Sequence, residues 1–300
     1  MPESASGTED DPSVRSVRLH GPADFAWRRR GPTRMVMSAF GARGDALHRM
    51  PGGQGNAWTD GRLVLKPVGL VSEHNWVSAV FANWKAPEVR VPEPVTANGE
   101  GGWSVDGWGA HVFVPGHEVQ LPLDVGRVRE ASGLFHHCIK QLPRPDFIDE
   151  RDDPWALGDR VAWEGAEPHG DARALELIEL LLSHLTPVTG AEQVIHGDIL
   201  PNVLLSPGLA PAVIDWPPYY RPVEMADAIA ATDAVTFHGA PLSLLDEWST
   251  GEQWRQFLVR ALLYRLGTTG FFASRDQLMG PLVTHVAHVR PVVDFVLSMT

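Results

Sequence analysis

The sequence predicts an α+β protein in two lobes, a small β-rich N-terminal lobe and a larger helical C-terminal lobe. Three observations carry that prediction. Short alternating runs broken by Asp-Gly and Gly-rich turns fill the chain to about residue 115. From Val125 onward apolar residues recur with helical spacing instead. The 300 residues, 44% hydrophobic and 21% charged, suffice for one large domain or two lobes with a proper core. Strands gathered in one part and helices in the other read as α+β.

Residues 1–16 are polar, acidic and rich in small side chains, without the basic-then-apolar pattern of a secretory signal. They read as a disordered leader on a cytoplasmic protein. The first lobe is then expected over 17–114 and the second over 115–300. Pro32 to Phe40 fits a short helix. Leu47 to Met50, the break PGGQG, Asn56 to Thr59, Asp60-Gly61 and Leu63 to Val68 follow, and Asp-Gly between short runs signals a hairpin. A helix is expected from Ser72 to about Trp84, with Ser72 as N-cap and Trp76, Val77, Val80, Phe81 and Trp84 on one face. WSVDGWGAHVFVPG reads as two further strands around Asp106-Gly107. In the second lobe, helices are expected over Val128 to Gln141 and Ala172 to Leu185, the latter burying Leu175, Ile178, Leu181 and Leu182. Short strands at Val203 to Leu205 and Ala212 to Ile214 precede helices at about Met225 to Thr236, Glu252 to Leu266 and Leu282 to Met299, with Pro291 kinking the last.

The formal charge of −12 argues against a nucleic-acid binder, which needs a basic face to displace phosphate counterions. The single cysteine, Cys138, excludes an internal disulfide and a Cys-based zinc site. No uninterrupted apolar run reaches the roughly 18 residues of a membrane span.

The chemistry concentrates in VIHGDILPNVLLSPGLAPAVIDW, residues 194–216. Asp198 and Asn202 precede a short apolar strand, a Pro/Gly turn and a second strand that ends in Ile214-Asp215-Trp216. Phosphoryl transfer needs such a set: one carboxylate to orient and deprotonate a hydroxyl, an amide and a second carboxylate to hold magnesium. The bland alternative is a β-hairpin in which both aspartates serve as turn or cap residues. The coincidence of two carboxylates, an amide, His-Gly-Asp and the strand spacing favours the first reading.

The stretch resembles the HGD-to-Asn catalytic loop and the IDW/IDF metal segment of the aminoglycoside phosphotransferase family, relatives of the protein kinases. PGGQG, VLKPV, DGW…VPG, DDPW and a catalytic loop with Asn four residues after Asp, where most of the family has five, are similar to an actinobacterial branch of phosphotransferase-like proteins. That likeness runs from about Pro32 to Asp233. It implies a protein-kinase-like fold and an ATP- and Mg²⁺-dependent kinase, with Asp198 as base and Asn202 and Asp215 as metal ligands. Gly52, Gly53, Gln54 and Gly55 would cover the ATP phosphates, although a Gly-rich turn taken alone reads sooner as an ordinary hairpin turn. Lys66 would hold the α- and β-phosphates, against the alternative of an exposed strand lysine. The segment from His111 through Phe113 to Gly116 would read the adenine edge through its backbone.

Glu73, or else His74 or Asn75, would partner Lys66, or the helix partner would be absent, and Glu73 equally complements the helix dipole. Asp227 would brace the catalytic loop or stand as a solvated helix acid. His196 is expected to fix that loop by a side-chain hydrogen bond, and His136 and His137 to pack. The acceptor is a hydroxyl of a small molecule, or of a peptide presented with a partner protein. A pseudokinase scaffold that binds nucleotide or a partner without transfer is the alternative. The acceptor is expected to lie among helices after Pro217, where Trp248, Trp254, Tyr264, Phe271 and Phe272 serve either core or pocket.

Overall fold

A computed structural model describes residues 31–51, 55–98, 102–275, 277–278 and 283–299. The expected leader over 1–16, together with Gly52, Gly53 and Gln54, lies outside the described residues. Thr33 opens helix α1 (Arg34–Phe40) by accepting the Val36 N–H at 3.3 Å, and Gly41 closes it at φ +66°. β1 (His48–Arg49), β2 (Trp58–Thr59) and β3 (Leu63–Pro67) then run antiparallel. The Asp-Gly turn forms where the sequence puts it, because Asp60 Oδ1 accepts the N–H groups of Arg62 and Leu63 at 2.9 and 2.7 Å. With β4 (Ser104–Val105) and β5 (Trp108–Val112), the sheet has five strands in the order β1-β2-β3-β5-β4. Leu63, Leu65, Trp108 and Ala110 close against Val36 and Phe40 as the core of the small lobe.

Helix α2 (Val71–Ala82) begins one residue before the expected cap. Ser72 is not the N-cap: Leu70 holds that position without a side-chain bond, while Ser72 Oγ donates to Glu150 Oε2 at 2.7 Å. That partner, 78 residues along the chain, becomes available only on folding. The aromatic face of α2 turns toward the large lobe. Trp76, Phe81 and Trp84 pack with Phe135 of α3 (Val125–Ile139) and with Trp216, at ring-centroid distances between 5.1 and 6.0 Å. The helix that the sequence assigns to the first lobe is therefore rooted in the second lobe's core.

In the large lobe, β6 (His117–Glu118), β8 (Val203–Leu205) and β9 (Ala212–Val213) form one small sheet. β7 (Glu192–His196) pairs antiparallel with β10 (Pro218–Pro222), a pairing the sequence does not announce because β10 has proline at both ends. Arg90 ties the lobes together: Val213 N–H donates to its carbonyl at 2.9 Å, and its guanidinium reaches the Ala210 and Pro115 carbonyls, each at 2.8 Å.

The helices are α4 (Pro154–Trp163), α5 (Ala172–Ser183), α6 (Glu224–His238), α7 (Ser243–Glu247), α8 (Trp254–Ala273) and α9 (His285–Ser298, with Pro291 inside). α4 and α7 are additions to the sequence reading. α4 has a legible start, in which Asp153 caps Trp155 and Ala156 and Pro154 occupies the first turn. α5 buries Leu177 in place of Leu175, with Ile178 and Leu181 as expected, while Leu182 stays half-buried. α8 is buried nearly all round, with Trp254, Tyr264 and Phe271 as core residues alongside Trp248. Phe272 meets Trp155 edge-on at 4.9 Å. No described helix is long and apolar enough to cross a membrane.

Candidate active site

The site grows from one buried histidine. His196, at the end of β7, is 0% exposed, and burial lowers its pKa to about 4, so the ring is neutral. Its Nδ1 accepts the Asp198 N–H at 3.1 Å, which leaves Nε2 as the donor to the Ile214 carbonyl at 3.2 Å. A single imidazole thus ties the segment bearing Asp198 to the segment bearing Asp215. Gly197 permits this tight passage, because a Cβ there would stand 2.3 Å from the Tyr219 ring. His196 is itself held from behind, its N–H donating to His136 Nε2 at 3.0 Å. His136 is buried and neutral, its pKa lowered to about 3 by burial and by His196, and its Nδ1 donates to Ser132 O at 2.8 Å.

The four-residue spacing between Asp198 and Asn202 is absorbed by a single 3₁₀ turn, Leu200–Asn202, with Pro201 inside it. Asn202 Nδ2 donates to the Asp198 carbonyl at 2.7 Å, and the Asn202 carbonyl accepts the Ile214 N–H at 2.9 Å. Among the described residues no donor reaches the Asn202 amide oxygen. Asp215 adopts φ +51°, a left-handed conformation that costs a non-glycine residue about 1–3 kcal/mol. The turn leaves its side chain 62% exposed in the cleft, where Lys66 Nζ meets Oδ1 at 3.0 Å. Lys66 lowers the Asp215 pKa, so the carboxyl stays ionised.

His111 lies near enough to Lys66 for the lysine charge to act with burial in lowering its pKa to about 4. The backbone of the expected adenine-reading segment is partly committed: Val112 N–H donates to Glu93 O and Phe113 N–H to Arg62 O, both at 2.8 Å. Gly55, at φ +61°, is the described member of the Gly-rich turn.

Two expectations are corrected. Glu73 does not pair with Lys66; Arg151 Nε stands 3.5 Å from Glu73 Oε2, while Asp153 grips the same guanidinium at 2.9 Å. Burial outweighs Arg151 and raises the Glu73 pKa to about 7, with Asp153 and Asp215 adding to the rise. His74 does not substitute, since its Nε2 lies 2.9 Å from Trp103 O. Asp227 does not brace the catalytic loop either. It faces Ser132 and Arg129, at 3.4 and 3.5 Å, because its place on α6 points toward α3.

The loop is held instead by Arg265 and Asp233, which the sequence reading left unassigned, and by Tyr264, which it placed in core or pocket. Arg265 Nη2, on α8, donates to Asp198 Oδ1 at 2.6 Å, and its Nε donates to both Asp233 oxygens at 2.9 and 3.1 Å. Tyr264 OH reaches the Gly197 carbonyl at 3.4 Å. A charged residue inside the apolar run ALLYRLG was the available signal, because a buried guanidinium needs a carboxylate partner. Among the described residues no three His, Cys, Asp or Glu side chains converge as a metal cage.

The sequence profile of the family described as "Phosphotransferase enzyme family" (APH) matches residues 67–263, more than half of the chain. Among curated protein sequences none matches. Solved structures give a fold likeness. A thermostable mutant of aminoglycoside phosphotransferase APH(4)-Ia, apo form, superposes with a TM-score of 0.61 at 14% identity, covering 88% of this chain and 99% of that one. Such a mutant in ternary complex with AMP-PNP and hygromycin B gives 0.58 at 14% identity over 88% and 98%. Choline kinase LicA from Streptococcus pneumoniae gives 0.56 at 12% identity over 84% and 93%.

Proposed function

Because the chain belongs to the phosphotransferase enzyme family, we propose that it transfers the γ-phosphoryl group of ATP, with magnesium, to a hydroxyl of a small molecule or peptide. The observation that carries this is the His196 bridge, which joins the Asp198–Asn202 turn to Asp215 while Lys66 reaches that same Asp215 at 3.0 Å. Asp198 accepts the proton of the acceptor hydroxyl as that oxygen attacks phosphorus. Lys66 binds the phosphate oxygens; half-buried on β3, it presents its ammonium beside the Asp215 carboxylate at 3.0 Å.

The residues fit magnesium. The Asp215 carboxylate is open and ionised, and the Asn202 amide has its nitrogen bonded to the loop and its oxygen available. Two hard oxygen ligands are a normal protein contribution for this ion, which keeps waters and phosphate oxygens for the rest of its shell. When bound, magnesium neutralises phosphate charge. The neighbour solved with AMP-PNP and hygromycin B supports a nucleotide and a small hydroxylated acceptor for this fold. A scaffold without transfer gains no support, since the Asp198–Asn202 turn is tied through His196 to the segment of Asp215, which meets Lys66.

Asp198→Asn tests the reading. The variant keeps shape and removes the proton acceptor, so transfer is expected to fall about 10²–10⁴-fold while Mg-ATP affinity stays within a few-fold. Transfer at the wild-type rate by this variant, on an acceptor shown to be phosphorylated, would eliminate the base role.

A further inference from the structure

Helix α8 is buried nearly all round, and Arg265 lies in its middle with a side chain only 9% exposed. A guanidinium in that setting needs its donors paired, and the pairing here is directional. Nε bonds both oxygens of Asp233, itself 5% exposed on α6, while Nη2 reaches from Asp233 across to Asp198 Oδ1 at 2.6 Å. Asp198, by contrast, keeps a side chain 35% exposed. Among the described residues its second oxygen has only a long contact of 3.4 Å, from Asn202 Nδ2.

We infer that Arg265, anchored by Asp233, is a positioning residue for the transfer: it fixes one oxygen of Asp198 and leaves the other to face the acceptor hydroxyl. This rests on the phosphoryl-transfer reading and adds to it a buried pair from two helices.

Both members are needed for physical reasons. A planar guanidinium has donors at fixed angles, so holding Asp233 through Nε dictates where Nη2 points. A lone arginine beside Asp198 would cancel the charge that draws the acceptor proton. With Asp233 included, the three groups retain one negative charge, and Asp198 is oriented without being neutralised. Tyr264, the neighbour of Arg265, steadies the same loop by its hydroxyl at the Gly197 carbonyl. One helix therefore sets both the backbone of the loop and the direction of its carboxylate.

The test uses the full chain with Mg-ATP as probe, following slow hydrolysis so that no acceptor need be known. Arg265→Lys keeps the charge but not the fork, and Arg265→Ala opens space for free guanidinium. Because a lone Asp233 left buried threatens folding, a double variant, Arg265→Met with Asp233→Leu, removes both charges with similar volume. We expect all three to lower kcat by about 10²-fold, the usual cost of a misplaced reacting group, with KM for Mg-ATP within about threefold of wild type. Added guanidinium should restore part of the rate of Arg265→Ala and none of the double variant's.

A crystal structure of the nucleotide-free double variant should show the Asp198 carboxylate turned away from its present direction. Wild-type kcat in the double variant, or an unmoved Asp198 in that structure, would overturn the positioning role. Absence of turnover by the wild type itself, with the Asp198 carboxylate turned in the variant, would instead sink the transfer reading and leave the clamp as a structural fact.

Discussion

Lys66 and Asp215 meet at 3.0 Å across the cleft, one from a strand of the small lobe and one from a left-handed turn of the large lobe. Each has a distinct expected loss. On the proposed function, Lys66→Ala removes a charge-assisted contact to phosphate and should weaken Mg-ATP binding by about 1.5–3 kcal/mol, roughly 10- to 100-fold in Kd by calorimetry. Unchanged affinity would return Lys66 to the status of an exposed strand lysine. On the proposed function, Asp215→Asn removes a metal ligand's charge and the partner of Lys66 together. Its nucleotide affinity should become nearly independent of added magnesium, whereas the wild type should bind tightly only with the ion. A variant that retains the full magnesium dependence would remove Asp215 from the metal site. Glu73 stands apart from both residues: with Arg151 as its partner, it links α2 to the large lobe and leaves Lys66 to Asp215.

The helix pair α4 and α8 sets the backbone that carries Tyr264 and Arg265 to the Asp198 loop. Their backbones approach so closely that a Cβ on Gly158 would stand 2.4 Å from Thr268 Oγ1 and 2.5 Å from the Tyr264 carbonyl. Gly267 answers from the other side, where a Cβ would lie 3.1 Å from Gly158 Cα. A methyl group at Gly158 has backbone in its way, so α8 must shift, and α8 carries Tyr264 and Arg265 to the catalytic loop. Gly158→Ala should therefore cost about 1–3 kcal/mol or more by urea unfolding and lower turnover in the molecules that still fold. Wild-type stability and turnover would mean that the helices can slide apart at no cost.

Across the whole molecule, buried neutral histidines tie stability to pH. His136 and His285 are 3% and 1% exposed, and burial lowers each pKa to about 3, with the Arg265 charge adding to the effect at His285. In the unfolded chain both take up protons near pH 6.5. Their contribution is complete above that pH and is lost progressively as pH falls from 6.5 toward 3, because the unfolded state binds protons first. Each group adds a slope of about 1.4 kcal/mol per pH unit over that window. His285 Nδ1 pairs with Thr269 Oγ1 at 2.7 Å, so His285→Gln retains a polar partner while removing the titration. Urea unfolding from pH 7 to pH 4.5 should be shallower for that variant by about one group's slope. An identical slope would remove His285 from the pH dependence.

The sequence by itself determined the elements whose signals are local. Asp60-Gly61 set the β2–β3 turn, the run 194–216 set the short strands and turn around Asp198, Asn202 and Asp215, and the change from alternating to helical spacing set the two-lobed α+β class. Each depends on residues within a few positions of one another, where backbone preference and side-chain reach suffice. Tertiary structure alone decided which charges meet. Ser72 bonded Glu150 in place of capping its helix, and Asp227 turned toward α3. Glu73 paired with Arg151, which is 78 residues away, and Arg265 reached Asp198 and Asp233 across 67 and 32 residues of chain. Burial is what fixes such pairs. A guanidinium or carboxylate withdrawn from water must bond whichever partner the packing brings within about 3 Å, and no spacing along the chain encodes that distance.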